Sequence, residues 1–243
     1  MRYSYRGAAP VLADVDLAVE AGEVLAVHGG NGAGKTTLLR LIAGVLLPRA
    51  GTVRCQGRIG YLPQRSDEPP PRLAASAWLA ALDRMGGRPD GSDRLAALPS
   101  LGVQDGTAPM DTLSVGTVAK VLLAGATGGS PGVLVLDEPF AALDADARAV
   151  ALALIEAAAG DGAAVVVSDH EGAAAHVATS VATISGGRLV VQGAGHGSPS
   201  VHVVGVAADG SSVDAVVPAD ERDRLLLQLL REGGQVLRVE DVP

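Results

Sequence analysis

Nine residues, GGNGAGKTT over 29–37, carry the clearest chemistry in this chain of 243 residues. Gly29 through Thr36 satisfies the spacing G-x-x-x-x-G-K-[ST]. Glycines there let successive backbone N–H groups converge on phosphate oxygens without a Cβ in the way. A helix opening directly afterwards adds the positive end of its dipole. The pattern predicts that Gly29, Gly30, Asn31, Gly32, Ala33, Gly34 and Thr37 wrap a nucleotide, that Lys35 reaches its β- and γ-phosphates, and that the Thr36 hydroxyl ligates Mg²⁺. Usage of basic residues points the same way. Of 19 Lys and Arg, only Lys35 and Lys120 are lysine. A chain that otherwise uses Arg places a compact ammonium where a point-like phosphate donor is wanted.

A second stretch, VLVLDEP (133–139), reads as a strand buried on both faces that ends in two acids. The strand would deliver Asp137 to the Mg²⁺ site. Glu138, one residue on, points elsewhere by strand alternation and could polarise an attacking water as general base.

The elements that must position these groups follow from hydrophobic patterning. Residues 11–28 read as a strand, a Gly turn and a second strand, and an apolar helix follows the Gly-rich loop to Gly44 and Pro48. Short strands are expected over 51–62, a Pro-rich connector over 66–72 and helices in the stretch after it. From 133 onward, buried strands alternate with a helix, which predicts an α/β fold with a parallel sheet and right-handed crossovers. The segment 193–200 reads as a linker. Beyond it a hairpin turning at Asp209–Gly210, a helix over 219–234 with Leu225, Leu226, Leu229 and Leu230 on one stripe, and a last strand make a small C-terminal α+β extension.

Bulk composition excludes several classes. Hydrophobic residues are 48% of the chain, which argues against disorder, and the net charge of −8 argues against a generic nucleic-acid binder. One cysteine, Cys55, cannot form an internal disulfide, so a reducing compartment is expected. Mean hydropathy is +0.30, yet Gly, Ser and Pro interrupt every long uncharged window before it could span a bilayer. The chain is therefore expected to be soluble, or held at a membrane by a partner.

The phosphate loop, YLPQ (61–64), LSVGT (113–117), VLVLDEP, ALD (142–144) and SDH (168–170) follow one another in the order and spacing of ABC-type ATPase cassettes. Over roughly residues 1–192 the chain resembles that family. The resemblance implies a P-loop NTPase core with an N-terminal antiparallel β subdomain and a short helical signature subdomain at about 66–126, followed by the linker and a 201–243 extension. It implies that Gln64 contacts Mg²⁺ and the attacking water, that Asp144 communicates across a dimer interface, and that His170 touches the γ-phosphate. Tyr5 resembles the aromatic that stacks on adenine, with Tyr3 as competitor. The signature is usually LSGGQ; here Val115 and Thr117 replace its third and fifth residues. Ser114 and Gly116 survive, and Ser114 is also a natural cap for the following helix. Thr117 is expected to take over part of the glutamine's hydrogen bonding. His28 is read as strand-end packing, and Trp78 as core, with a place on a partner-docking surface as the alternative.

The family's signature faces a nucleotide held by a second cassette, so the resemblance implies a homodimer with two composite sites binding ATP and Mg²⁺. It also implies an integral membrane permease as partner, a place at the cytoplasmic face of the cell membrane, and no nucleic acid. The variant signature and short helical region suggest export, with a metal importer as the near alternative. Readings from other classes are a soluble ABC ATPase without a membrane partner and a nucleotide-binding scaffold without hydrolysis. The short interval between Thr37 and Leu113, which has no heptads, argues against the coiled-coil chromosome type, and Glu138 argues against the scaffold. The 201–243 extension is expected to be a folding appendage, with a regulatory or dimer-contact role as the alternative.

Overall fold

The computed structural model describes residues 1–64, 72–86, 92–169, 172–193, 200–206, 212–218, 230 and 235–242. The Pro-rich connector, the Asp209–Gly210 turn, the helix over 219–234 apart from Leu230, and His170 lie outside the described residues. Two compact units divide the chain, Met1–Gly193 and Ala194–Pro243.

In the first unit a six-stranded sheet runs in the order β2-β3-β4-β1-β5-β6. Its strands are β1 (Val24–His28), β2 (Ile59–Leu62), β3 (Val133–Asp137), β4 (Ala164–Ser168), β5 (Ser180–Ser185) and β6 (Arg188–Gly193). The first five in that order are parallel, and β6 returns antiparallel to β5 through the two-residue Gly186–Gly187 turn. Strand alternation splits the core in two. Leu25, Val27, Val133, Val135 and Val166 pack with Leu38, Leu39 and Leu41 of α1 (Lys35–Ile42). Val24, Ala26, Leu134, Leu136, Val165 and Val167 face the other way, toward α4 (Val115–Thr127) and α5 (Ala145–Gly160). Both faces are covered, which is why β1, β3 and β4 are continuous apolar runs.

The antiparallel β subdomain expected at the N-terminus is present as isolated bridges, Arg2 with Ala50 and Tyr3 with Leu12, without continuous strands. Residues 16–20 and 52–56 keep the alternating exposure of strands but make no ladder with each other. Between them lies a cavity of about 700 Å³ against the amino ends of β3 and β4, at the far end of the sheet from the phosphate loop.

The helical region holds α2 (Ala75–Met85) and α3 (Ser92–Ser100) against α4. Trp78 is partly buried against this core and touches the α4 backbone at Gly125. A buried ion pair, Arg94 with Asp83, joins α3 to α2. Arg94 Nε also donates to Gly125 O in α4 at 2.9 Å, and Arg58 donates to Gly128 O at 3.2 Å and to Gly129 O. Two guanidinium groups from outside α4 thus meet its C-terminal carbonyls, where the helix itself has no basic residue. The second unit contains a three-stranded antiparallel sheet, β8-β7-β9, from β7 (Ser200–Val206), β8 (Ser212–Pro218) and β9 (Gln235–Val242).

Arg94→Ala should leave Asp83, which is 1% exposed, without its cation. Removing one partner of a buried pair costs about 3–5 kcal/mol. Denaturant unfolding should report a loss of that order, and a loss below 1 kcal/mol would show that the pair contributes little.

Candidate functional site

The carboxyl ends of the parallel strands bring the predicted residues together. β1 runs directly into the loop 29–34, and α1 begins at Lys35. Gly29 and Gly34 adopt φ of 155° and 110°, and a Cβ on Gly29 would come within 2.9 Å of Ile184 O. Glycine is needed at both positions for backbone geometry and close approach. A cavity of about 630 Å³ opens here, lined by Tyr5, Val11, residues 30–37, Gln64 and Glu138.

Lys35 is buried, and its Nζ donates to Gly29 O at 2.7 Å and Gly30 O at 3.3 Å, folded over the loop that lines the cavity. Thr36 Oγ1 donates to Gln64 Oε1 at 3.0 Å, so two of the expected Mg²⁺ ligands sit side by side. Tyr5 is exposed at the cavity rim, its hydroxyl 3.2 Å from Thr37 Oγ1. Tyr3 is buried in the α1-side core and meets the Tyr5 ring edge-on at 5.1 Å. Of the two tyrosines, only Tyr5 lines the cavity, with Tyr3 supporting it from beneath.

Asp137 ends β3 on the α1 face and is 2% exposed. Its Oδ1 accepts from Ser168 Oγ at 2.7 Å, while its Oδ2 has no partner among the described residues. A buried carboxylate oxygen left open is what a cation or its bound water would occupy. Thr36, Gln64 and Asp137 are all oxygen donors, which suits Mg²⁺. Among the described residues no cluster of three His, Cys, Asp or Glu forms a competing site.

Glu138 departs from the alternation expected for it. β3 has already ended, and Glu138 adopts φ 53°, in the left-handed region. Such a backbone costs a non-glycine residue about 1–3 kcal/mol. It carries Glu138 to the wall of the phosphate-loop cavity, on the same side as Gln64.

Ser114, Gly116 and Asp144 are not among the residues that line this cavity. Ser114 caps α4: its Oγ accepts from Thr117 N at 3.2 Å and pairs with Thr117 Oγ1 at 2.8 Å. Thr117 thus meets the cap with both its N–H and its hydroxyl, a role that sequence reasoning reached only as a partial substitute for glutamine. Gly116 allows close approach, since a Cβ there would lie 3.1 Å from Ala142 O. Asp144 caps α5 through Oδ1 to Ala147 N at 2.8 Å, and its Oδ2 accepts from Lys120 Nζ at 2.7 Å. His28 closes β1 half-buried beside the loop.

Sequence reasoning assigned no part to Ser168 or to the Lys120–Asp144 bond. The rarity of lysine was the available signal for Lys120. For Ser168 the signal was weaker, a polar residue at the end of an apolar strand.

The family model described as ABC transporter matches residues 12–141. The chain belongs to this family. The hemin import ATP-binding protein of Nocardia farcinica is 38% identical over 208 residues, covering 75% of this chain and 70% of that protein. The zinc import ATP-binding protein of Pseudomonas fluorescens is 36% identical over 149 residues, covering 60% of this chain and 56% of that one. The chain spans about half the length or less of several curated relatives it matches, between 36% and 56%. The solved ATP-binding subunit of an ABC transporter superposes with TM-score 0.73 at 24% identity, over 79% of this chain and 87% of that one, and so shares the fold. The α/β cassette core with its mostly parallel sheet is thus the fold expected from the motifs.

The Lys120 bond, followed by the Ala147 N–H, holds the exposed Asp144 carboxyl below its ordinary pKa of 3.8. A depressed carboxylate pKa contributes stability that is present above the unfolded value and lost as pH falls through the folded one. Lys120→Met should raise the Asp144 pKa toward its ordinary value and move the acid-side loss of the α5 cap to higher pH. Carboxyl ¹³C NMR titration reads this directly; an unmoved titration would show that the bond does not persist in solution.

Proposed function

We propose that this chain binds ATP with Mg²⁺ in the phosphate-loop cavity and hydrolyses it as the nucleotide-binding subunit of a membrane transporter. The observation that carries the reading is the convergence on one cavity of Lys35, the bonded Thr36–Gln64 pair and the left-handed Glu138, with Asp137, its Oδ2 open among the described residues, lining an adjoining pocket that Gln64 and Glu138 share. Lys35 and the loop amides hold the β- and γ-phosphates, and Tyr5 stacks on the base at the rim. Thr36, Gln64 and Asp137 hold Mg²⁺, which when bound neutralises phosphate charge. Glu138 orients and deprotonates the attacking water, with Gln64 and His170 beside the γ-phosphate. Family membership supports this reading of the residues.

The dimer belongs to the same reading. Ser114 and Gly116 lie off their own chain's cavity, at a helix N-terminus beside Val115, an apolar side chain that is 50% exposed. These features support a second copy whose nucleotide they would close over, and one cassette structure of like fold was solved as a dimer with ADP and phosphate. Among the described residues no helix is long and apolar enough to cross a membrane. On family membership we assign the membrane path to a permease and the chain to the cytoplasmic face as its peripheral partner. Nucleic acid has no part in the reading. The direction of transport we read as import. Zinc, hemin and ferric-iron import proteins are among the relatives, and they weigh against the export expectation drawn from the signature and the short helical region.

Glu138→Gln should lower phosphate release by about 10²–10⁴-fold, as expected for loss of a general base. It should still bind ATP and double its mass on doing so; retained hydrolysis would remove Glu138 from the chemistry. Tyr5→Ala should weaken ATP binding by about 1–3 kcal/mol, the scale of base–aromatic stacking, with little change in kcat. Fluorescent-nucleotide titration would show this, and unchanged affinity would exclude the stack.

A further inference from the structure

One fully buried hydroxyl at the site has no role in the reaction described so far. Ser168 is the last residue of β4 and sits directly across the parallel ladder from Asp137. It is 0% exposed. Its Oγ donates to Asp137 Oδ1 at 2.7 Å and accepts from the backbone N–H of Glu138 at 2.9 Å. Both contacts use the chemistry a hydroxyl offers, one donor and a free lone pair, and they fix the direction of its hydrogen.

The two contacts act on different properties of the site. A carboxylate turns easily about its terminal torsion, which has broad and nearly two-fold wells. With Oδ1 held, Asp137 presents Oδ2, the oxygen left without a partner among the described residues. Glu138 holds a backbone angle that a non-glycine residue rarely takes. Its N–H is tied to the neighbouring strand, so that angle is referred to β4 and not to the loop that follows. An alanine in place of Ser168 would free the Asp137 torsion and leave the Glu138 N–H without its acceptor.

We infer that Ser168 is a positioning residue that sets the cation-facing oxygen of Asp137 and the orientation of Glu138 through one hydroxyl, coupling metal affinity to hydrolysis. The inference rests on the functional reading above. A purely structural role, in which Ser168 only satisfies buried polar groups, would alter thermal stability and leave metal dependence alone.

The test compares Ser168→Ala and Ser168→Thr with the wild-type full chain. Binding of a fluorescent ATP analogue is measured without metal and with Mn²⁺ titrated in, Mn²⁺ occupancy is followed by electron paramagnetic resonance, and phosphate release is measured separately. The alanine variant should bind the analogue without metal much as wild type does. It should need about 10-fold more Mn²⁺ for half-saturation, and its kcat should fall about 10–100-fold with KM for ATP little changed, the range seen when a group supporting a metal ligand is lost. The threonine variant should recover both. Should alanine fail to melt cooperatively, Ser168→Cys, close in volume and a far weaker donor, is read by the same criteria. Wild-type Mn²⁺ half-saturation and kcat in a folded hydroxyl-free variant would overturn the inference and leave the functional reading standing. A wild-type chain that binds no nucleotide would overturn both.

Discussion

The parallel register of β1, β3 and β4 is the constraint on which the site depends. Parallel strands end at one edge of the sheet, so the loop after β1, the acid at the end of β3 and the hydroxyl at the end of β4 are delivered together. Alternation then selects the α1 face for Asp137 and Ser168, the face on which the phosphate loop lies. A slip of one residue in β3 would turn Asp137 into the opposite core, against α4 and α5. The apolar packing on both faces, mostly Val, Leu and Ala, is what makes that slip costly.

Much of this was legible in the chain itself. The phosphate loop reads directly, because the backbone geometry it needs is open to glycine and little else. The acid pair reads directly because a buried parallel strand is continuously apolar and its end is marked by the first charge. The Ser114 cap was equally local, and its side chain accepts from the N–H three residues ahead; Asp144 does the same for α5, a role the sequence reading did not assign it. What escaped were interactions between distant segments. Nothing near Ser168 in sequence announces Asp137, since the two meet only through strand pairing. The left-handed turn at Glu138 was hidden for a related reason: a non-glycine residue there is held by its surroundings, not by its own preference. The N-terminal strands were over-read because alternating exposure over 16–20 and 52–56 looks the same whether or not the backbone finds a neighbour.

The helical region shows a second kind of long-range support. α4 carries the signature at its N-terminus, and its C-terminal carbonyls are met by Arg58 from the residues before β2 and Arg94 from α3. Through Asp144, Lys120 fastens the same helix to the turn that follows Glu138. Ser114 and Glu138 therefore hang from one mechanically continuous segment, although in a two-cassette arrangement they would serve different nucleotides.

Side-chain ammonium groups exist at only two positions, one folded over the phosphate loop and one bound to the Asp144 carboxylate. Every other basic side chain is a guanidinium. Reagents or cellular modifications that acylate amines would thus find almost nothing on the ordinary surface of this chain. Any lysine they reached would be one of these two, and a change in its labelling would report on the loop over 29–34 or on the Asp144 bond.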